Sequence, residues 1–217
     1  MGDWGEFAAT WAAFLLSHML PARPALRQPI VALVGERAFL LGYSAVSVAI
    51  LGWMIVAAGR APFVPLWGWA WWQPWVTNAA MVVACLLLGL GIGAPNPFSI
   101  GGAANARYDP ARPGVVALTR HPVLWAMAAW SAGHVVPNGD VAHLLLFGGF
   151  AVLSLLGMGA LGARRRAAWG AARWDALQPR ARFRPGAARL LTGALIWTVL
   201  IVSHTAVTGM PPWPRWP

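Results

Sequence analysis

Lysine is absent from this chain, so all 16 basic residues are arginine. Charge of either sign is scarce: charged residues make up 10% of the sequence, against about 25% in an ordinary soluble domain. A soluble fold of 217 residues could not cover its surface with so few. Only one cysteine is present, Cys85, inside an apolar run. That excludes a disulfide within the chain and leaves Cys85 to read as a small buried hydrophobe. No carboxylate lies deep in any apolar segment, which excludes a di-iron carboxylate site. There is no CxxCH, hence no covalently attached c-type haem. A phosphate loop ending in GK[ST] and a GxSxG nucleophile elbow are also missing. The first six residues carry Asp3 and Glu6 but no positive charge. A secretory signal begins with a positive region, so the first apolar run is expected to be a retained helix.

What is abundant is apolar length. Hydrophobic residues make up 59% of the chain. Six runs approach the roughly 20 residues needed to cross a bilayer: residues 4–20, 38–58, 77–94, 122–136, 141–162 and 190–208. Backbone polar groups in lipid must be satisfied within their own segment, so each run is expected to be helical. The fold class implied is all-α, a polytopic transmembrane bundle of about six spans, organised as a single domain over residues 1–217. Residues 25–34 are apolar but interrupted by Arg27, Gln28 and Pro29, and read as an interfacial or re-entrant turn. Residues 67–75 hold five tryptophans and read as an interfacial segment, because an indole ring suits the headgroup level. The Trp/Pro-rich tail, residues 211–217, reads as irregular. Gly89, Gly91 and Gly93, and Gly157, Gly159 and Gly162, permit close helix approach. Glu36 and Arg37 are placed to pair at the start of the second run.

Net charge is +10, and its distribution is informative. Nucleic-acid proteins gather charge on one face of a soluble domain. Here the arginines lie between apolar runs, which argues for lipid as partner and against nucleic acid. Arg23, Arg27 and Arg37 follow the first run; Arg107, Arg112 and Arg120 follow the third; eight more lie between residues 164 and 189. The intervening loops hold Arg60 alone or none. The positive-inside rule then puts both termini outside, the periplasmic face of a bacterial inner membrane.

Five histidines carry the chemical interest: His18, His121, His134, His143 and His204. Ionisable residues at membrane depth are costly and are functional candidates by default. Neutral imidazole is a common axial ligand of haem iron, and helical bundles commonly hold haem. Either a b-type haem or a lone metal ion is compatible with the residues. His18 with His121 suits a haem standing at the inner side, with Arg23, Arg27 and Arg120 near its propionates. His18 and His134 differ in expected depth by roughly 16 Å, at 1.5 Å rise per residue.

The stretches FLLSHMLPARPALR (residues 14–27), GERAFLLGYSAVS (35–47), TRHPVLWAMAAWSAGHVVPNGD (119–140), LLLFGGF (144–150) and SHTAVTG (203–209) resemble the NnrU family of membrane proteins. The block RHP-x7-W-x3-H-x3-NGD is the most specific of these. The family includes the plant-type 15-cis-zeta-carotene isomerase, a b-type haem protein with histidine ligands. The resemblance implies iron ligation by His18 and His134, with His121 as an alternative ligand or a catalytic group near substrate. It further implies a role in denitrification (nitrite and nitric oxide metabolism) or haem-dependent isomerisation of a carotenoid-like polyene. The segment that follows Arg166, ahead of SHTAVTG, departs from the family pattern, and no role is carried over there. RHP also occurs in isoprenylcysteine-type membrane methyltransferases, but the glutamates and tyrosines expected downstream are missing: Asp175 is the only acidic residue after Asp140, and no tyrosine follows Tyr108. A non-catalytic assembly factor for a respiratory complex is the third reading.

Overall fold

A computed structural model describes residues 3–21, 23–102 and 105–213. Among the described residues there are seven helices and a single isolated β-bridge, Pro65 with Asp140. The helices are α1 (Trp4–Met19), α2 (Pro24–Val34), α3 (Glu36–Arg60), α4 (Gln73–Gly91), α5 (Pro122–Val135), α6 (Val141–Ala176) and α7 (Ala187–Thr208). The all-α class follows directly from the apolar runs. Their ends follow from local chemistry. Asp3 caps α1 by accepting the Glu6 backbone N–H, and Glu6 adds a favourable charge to the first turn. Proline opens α2, α4 and α5 in the first turn, where its missing N–H costs nothing. Asp140 caps α6 through the His143 N–H.

Four of these helices, α3, α4, α6 and α7, are long and apolar enough to cross a membrane. The sequence suggests about six spans. The other two expected segments are helical but short: α1 has 16 residues and α5 has 14. At 1.5 Å per residue they rise about 24 and 21 Å, below the hydrocarbon thickness of about 30 Å. The 137–140 turn limits α5, and α1 stops at Met19, just short of Pro21. Residues 25–34, expected as a turn, fall within the continuous helix α2, which runs through Pro29. Glu36 pairs with Arg27 of α2 rather than with its neighbour Arg37. The tryptophan segment is not a span: residues 61–72 are irregular, and Trp69 and Trp71 are both exposed. Of the tail, residues 214–217 lie outside the described residues.

Two compact units are present. The first comprises Met1–Leu66 and Asp140–Leu146. Within it, α1 and α2 pack on α3. Phe7 and Thr10 of α1 and Met54, Ala57 and Ala58 of α3 are buried. Glu6 accepts a hydrogen bond from the Trp53 indole (3.2 Å) and lies 3.7 Å from Arg60.

The second unit comprises Trp67–Gly139 and Phe147–Pro217. Here α4 is central, with α5 and α7 packed on it and α6 packed on α5. Small residues set the spacing. A Cβ added at Gly89 would lie 2.4 Å from the Gly193 nitrogen, and one added at Gly193 would lie 2.8 Å from the Cys85 carbonyl oxygen. The α4 and α7 backbones therefore touch. Gly89 and Gly91 thus act as the sequence suggests, whereas Gly93, beyond the end of α4, and Gly159 of α6 have nothing within 4 Å of an added Cβ. Between α4 and α5, the Thr77 hydroxyl donates to the Gly133 carbonyl (2.9 Å), a bond that needs the missing side chain at residue 133. Two backbone features of α6 are invisible in the apolar pattern. One is a π turn over Leu144–Gly148. The other is a break at Gly170, whose φ of 76° and ψ of 163° are open to glycine alone.

Candidate functional site

His18 sits in the last turn of α1 and belongs to the first unit. Its Nδ1 lies 2.8 Å from the Phe14 carbonyl oxygen, four residues back. A carbonyl can only accept, so Nδ1 carries a proton, and in the neutral ring Nε2 is the nitrogen with the lone pair. Phe14 and Tyr43 flank the ring, with centroids at 4.1 and 5.6 Å.

His134 sits in the last turn of α5, in the second unit. The same local device recurs: Nδ1 lies 2.7 Å from the Trp130 carbonyl oxygen, again four residues back. Trp130 and Phe147 flank the imidazole, at 5.6 and 5.1 Å between centroids. Phe147 reaches this position from the π turn of α6. Asn138 of the 137–140 turn donates to the His134 carbonyl (2.7 Å), which fixes the end of the helix.

The remaining histidines differ. His143 binds Asp140, Nδ1 to carboxylate at 2.7 Å, within the capped first turn of α6. His204 in the last turn of α7 directs Nδ1 to the Met210 carbonyl beyond the helix end (2.7 Å). His121 is the N-cap of α5 and is buried. Its Nδ1 lies 2.9 Å from the Ser99 hydroxyl, and its Nε2 faces Gly162 of α6. The peptide before it is held by Asn96, whose Nδ2 donates to the Arg120 carbonyl (2.9 Å) while its Oδ1 accepts the Phe98 N–H (3.0 Å). Sequence reasoning missed Asn96, Ser99 and Gln178. An uncharged Asn-Pro-Phe-Ser run just after an apolar segment was the one available signal.

Burial, reinforced by the neighbouring Arg120 charge, holds His121 below its ordinary value near 6.5. The neutral ring is therefore the folded form at pH 7. A histidine with a depressed folded pKa stabilises fully above its unfolded value, and that contribution is lost as pH falls below it. The thermal midpoint in detergent is expected to drop between pH 7 and pH 5, and to drop less in His121→Gln. A wild type and variant with parallel pH profiles would refute this assignment.

The three arginines expected near propionates are placed as follows. Arg23 is the N-cap of α2, without a side-chain cap bond. Arg27 is engaged by Glu36 and lies over the Phe39 ring at 5.2 Å. Arg120 donates to Gln178 Oε1 (3.0 and 3.3 Å) and lies over Trp174 at 5.5 Å. Arg23 and Arg27 fall in the first unit and Arg120 in the second.

Among the described residues no three His, Cys, Asp or Glu side chains gather as a metal-binding group. A haem makes a smaller demand, since the macrocycle supplies four ligands and the protein one or two imidazoles. Imidazoles with Nδ1–H bonded to a carbonyl and Nε2 free are the form such ligation uses.

No curated protein and no solved structure matches this chain. The family model described as NnrU protein matches residues 6–212, nearly the whole sequence across both units. With its apolar spanning helices and the histidines described, this chain belongs to the NnrU protein family of membrane proteins.

Proposed function

We propose that this chain is a b-type haem protein of a bacterial inner membrane, with His18 and His134 as the iron ligands and both termini periplasmic. One observation carries the reading: both histidines hold Nδ1–H on a carbonyl four residues back, leaving Nε2 as the basic nitrogen. The bond also raises the basicity of Nε2 and fixes the ring about its helix. The arginine distribution supports the orientation.

A bound ferrous haem would supply an electron-rich centre able to lower the bond order of a polyene double bond or to bind a nitrogen oxide. The chain's own part is to hold and shield. Phe14 and Tyr43 pack about one imidazole and Trp130 and Phe147 about the other, so both rings sit in apolar surroundings. His121 favours its neutral form, with Nδ1 hydrogen-bonded to the Ser99 hydroxyl and Nε2 toward Gly162. These surroundings favour a hydrophobic, carotenoid-like polyene entering from lipid, with cis-trans isomerisation as the activity. The second reading, nitrite or nitric oxide metabolism, draws on the link between bacterial NnrU proteins and denitrification.

The test is the visible spectrum of purified protein, oxidised and dithionite-reduced. A Soret band with sharp reduced α and β bands is expected, collapsing in His18→Ala and in His134→Ala but persisting in His143→Ala. A protein that stays colourless after haem is added would end the haem reading and revive a methyltransferase, tested by S-adenosylmethionine binding. A haem protein that turns over no polyene would favour nitrogen-oxide chemistry or an assembly role.

A further inference from the structure

A basic cavity of about 120 Å³ lies in the second unit, with no histidine in its lining. Arg107, Arg112, Arg184 and Arg189 line it, together with one carboxylate, Asp109. That carboxylate is already committed: it pairs with Arg112 at 3.0 Å and accepts the Ala111 N–H at 2.9 Å. Those two hydrogen bonds hold the Asp109 carboxyl below the usual range, so it stays ionised and paired. Arg107 and Arg184 have no carboxylate partner among the described residues. Arg189 donates one guanidinium nitrogen to the last carbonyls of α4, at 2.9 Å from Ile92 and 3.3 Å from Gly89. Its charge is thus fixed at the cavity edge with donors to spare. The first turn of α7, capped by Gly186 without a side-chain bond, borders the same space and adds the positive end of its dipole.

Three further facts identify the occupant. First, the floor is apolar: Leu90, Ala94 and Val115 are buried there, with Phe183 packed on them. Second, a groove of about 430 Å³ adjoins it through Arg189 and runs along α4 and α7 over Leu88, Ile92, Thr192 and Ile196. Third, α4 ends at Gly91 and α7 begins at Ala187, and both are long enough to span, so the cavity stands where headgroups lie. A free anion would use the arginines but neither the apolar floor nor the groove. An anionic phospholipid uses all three.

We propose that this foot of the α4–α7 pair is a binding site for one anionic phospholipid. Its phosphodiester lies among Arg107, Arg184 and Arg189, and an acyl chain follows the groove along α7. The site is independent of the haem reading and stands or falls without it.

The experiment uses the full chain, delipidated in neutral detergent, with phosphatidylglycerol, phosphatidylcholine or inorganic phosphate added separately. Binding is read by native mass spectrometry and by the shift in thermal midpoint. Wild type is expected to retain one phosphatidylglycerol and gain stability from it, and to respond little to the other two. Each membrane-facing arginine contributes about a fivefold preference for anionic lipid, so Arg107→Gln/Arg184→Gln should weaken retention on the order of tenfold or more. Arg164→Gln/Arg166→Gln removes two charges outside the cavity and should retain the lipid. Equal loss in both double variants would overturn the proposal in favour of diffuse charge attraction. An equal response to phosphatidylcholine, or to inorganic phosphate, would overturn it as well. If Arg107→Gln/Arg184→Gln folds poorly, Arg107→Lys/Arg184→Lys should hold the lipid with intermediate strength, and a complete loss there counts against the site.

Discussion

Gly193→Leu is expected to separate α4 from α7 and to lower the thermal midpoint of the protein in detergent by many degrees. The side chain would begin 2.8 Å from two backbone atoms of α4, the Cys85 carbonyl oxygen and the Leu86 Cα. Backbone cannot move aside as a flexible side chain can, so the helices must part. Overpacking of this kind costs about 1–3 kcal/mol and sometimes more. The opposing term is helix propensity, since replacing glycine within a helix gains up to about 1 kcal/mol. The clash wins because it acts along the whole contact: lost packing at Gly193 also removes the matching contact at Gly89. Gly159→Leu in α6 is the control. Nothing lies within 4 Å of a Cβ there, so propensity acts alone and the midpoint should hold or rise. If both variants behave alike, the close approach of α4 and α7 contributes nothing to stability.

Asn96→Ala is expected to be the most damaging polar substitution outside the histidines. The residue is 1% exposed, and its side chain holds two backbone groups on opposite sides. Truncation leaves the Phe98 N–H and the Arg120 carbonyl without those partners. An orphaned buried polar group costs about 1–3 kcal/mol; the Phe98 N–H bond is buried and the Arg120 carbonyl bond partly so. The damage should reach His121 directly, because Arg120 precedes it. Carbethoxylation of His121 by diethylpyrocarbonate, slow in the wild type where the ring is buried, should accelerate several-fold in Asn96→Ala. A destabilised variant with unchanged His121 reactivity would show that Asn96 supports the loop but not the histidine.

The spans were legible because burial in lipid leaves a residue-by-residue signature. A run of apolar side chains ending at Pro21, or beginning at Pro122, needs no knowledge of its neighbours to be read as helix. The tryptophan-rich residues 67–75 were legible as something other than a span, and residues 61–72 are indeed irregular. Length near the threshold was harder. The first and fourth runs looked like spans by composition, yet caps and turns cut them to 16 and 14 residues. The hydrogen bonds of His18 and His134 were half legible. A carbonyl four residues back is available to every helical side chain, but whether Nδ1 takes it depends on the ring's neighbours. Asn96 and Ser99 could not be assigned roles beforehand, because their partners lie 24 and 22 residues away in sequence. The turn at Gly170 was hidden by its composition: an alanine- and arginine-rich stretch favours helix on both sides, and one glycine in a left-handed conformation redirects it.

The shortness of α5 has a consequence for the membrane itself. Its rise of about 21 Å falls roughly 9 Å short of an average hydrocarbon core. Trp125, near its start, is 46% exposed, so part of this short helix faces outward. Where α5 borders lipid, the bilayer is expected to dimple inward or let polar groups reach in, at a cost of fractions of a kcal/mol per ångström of mismatch. The deformation would be less severe in a thinner sheet of short-chain lipids and more severe in a thick one. Bilayer composition thus becomes a variable that tunes this protein locally, with the strain concentrated beside the helix that carries His134.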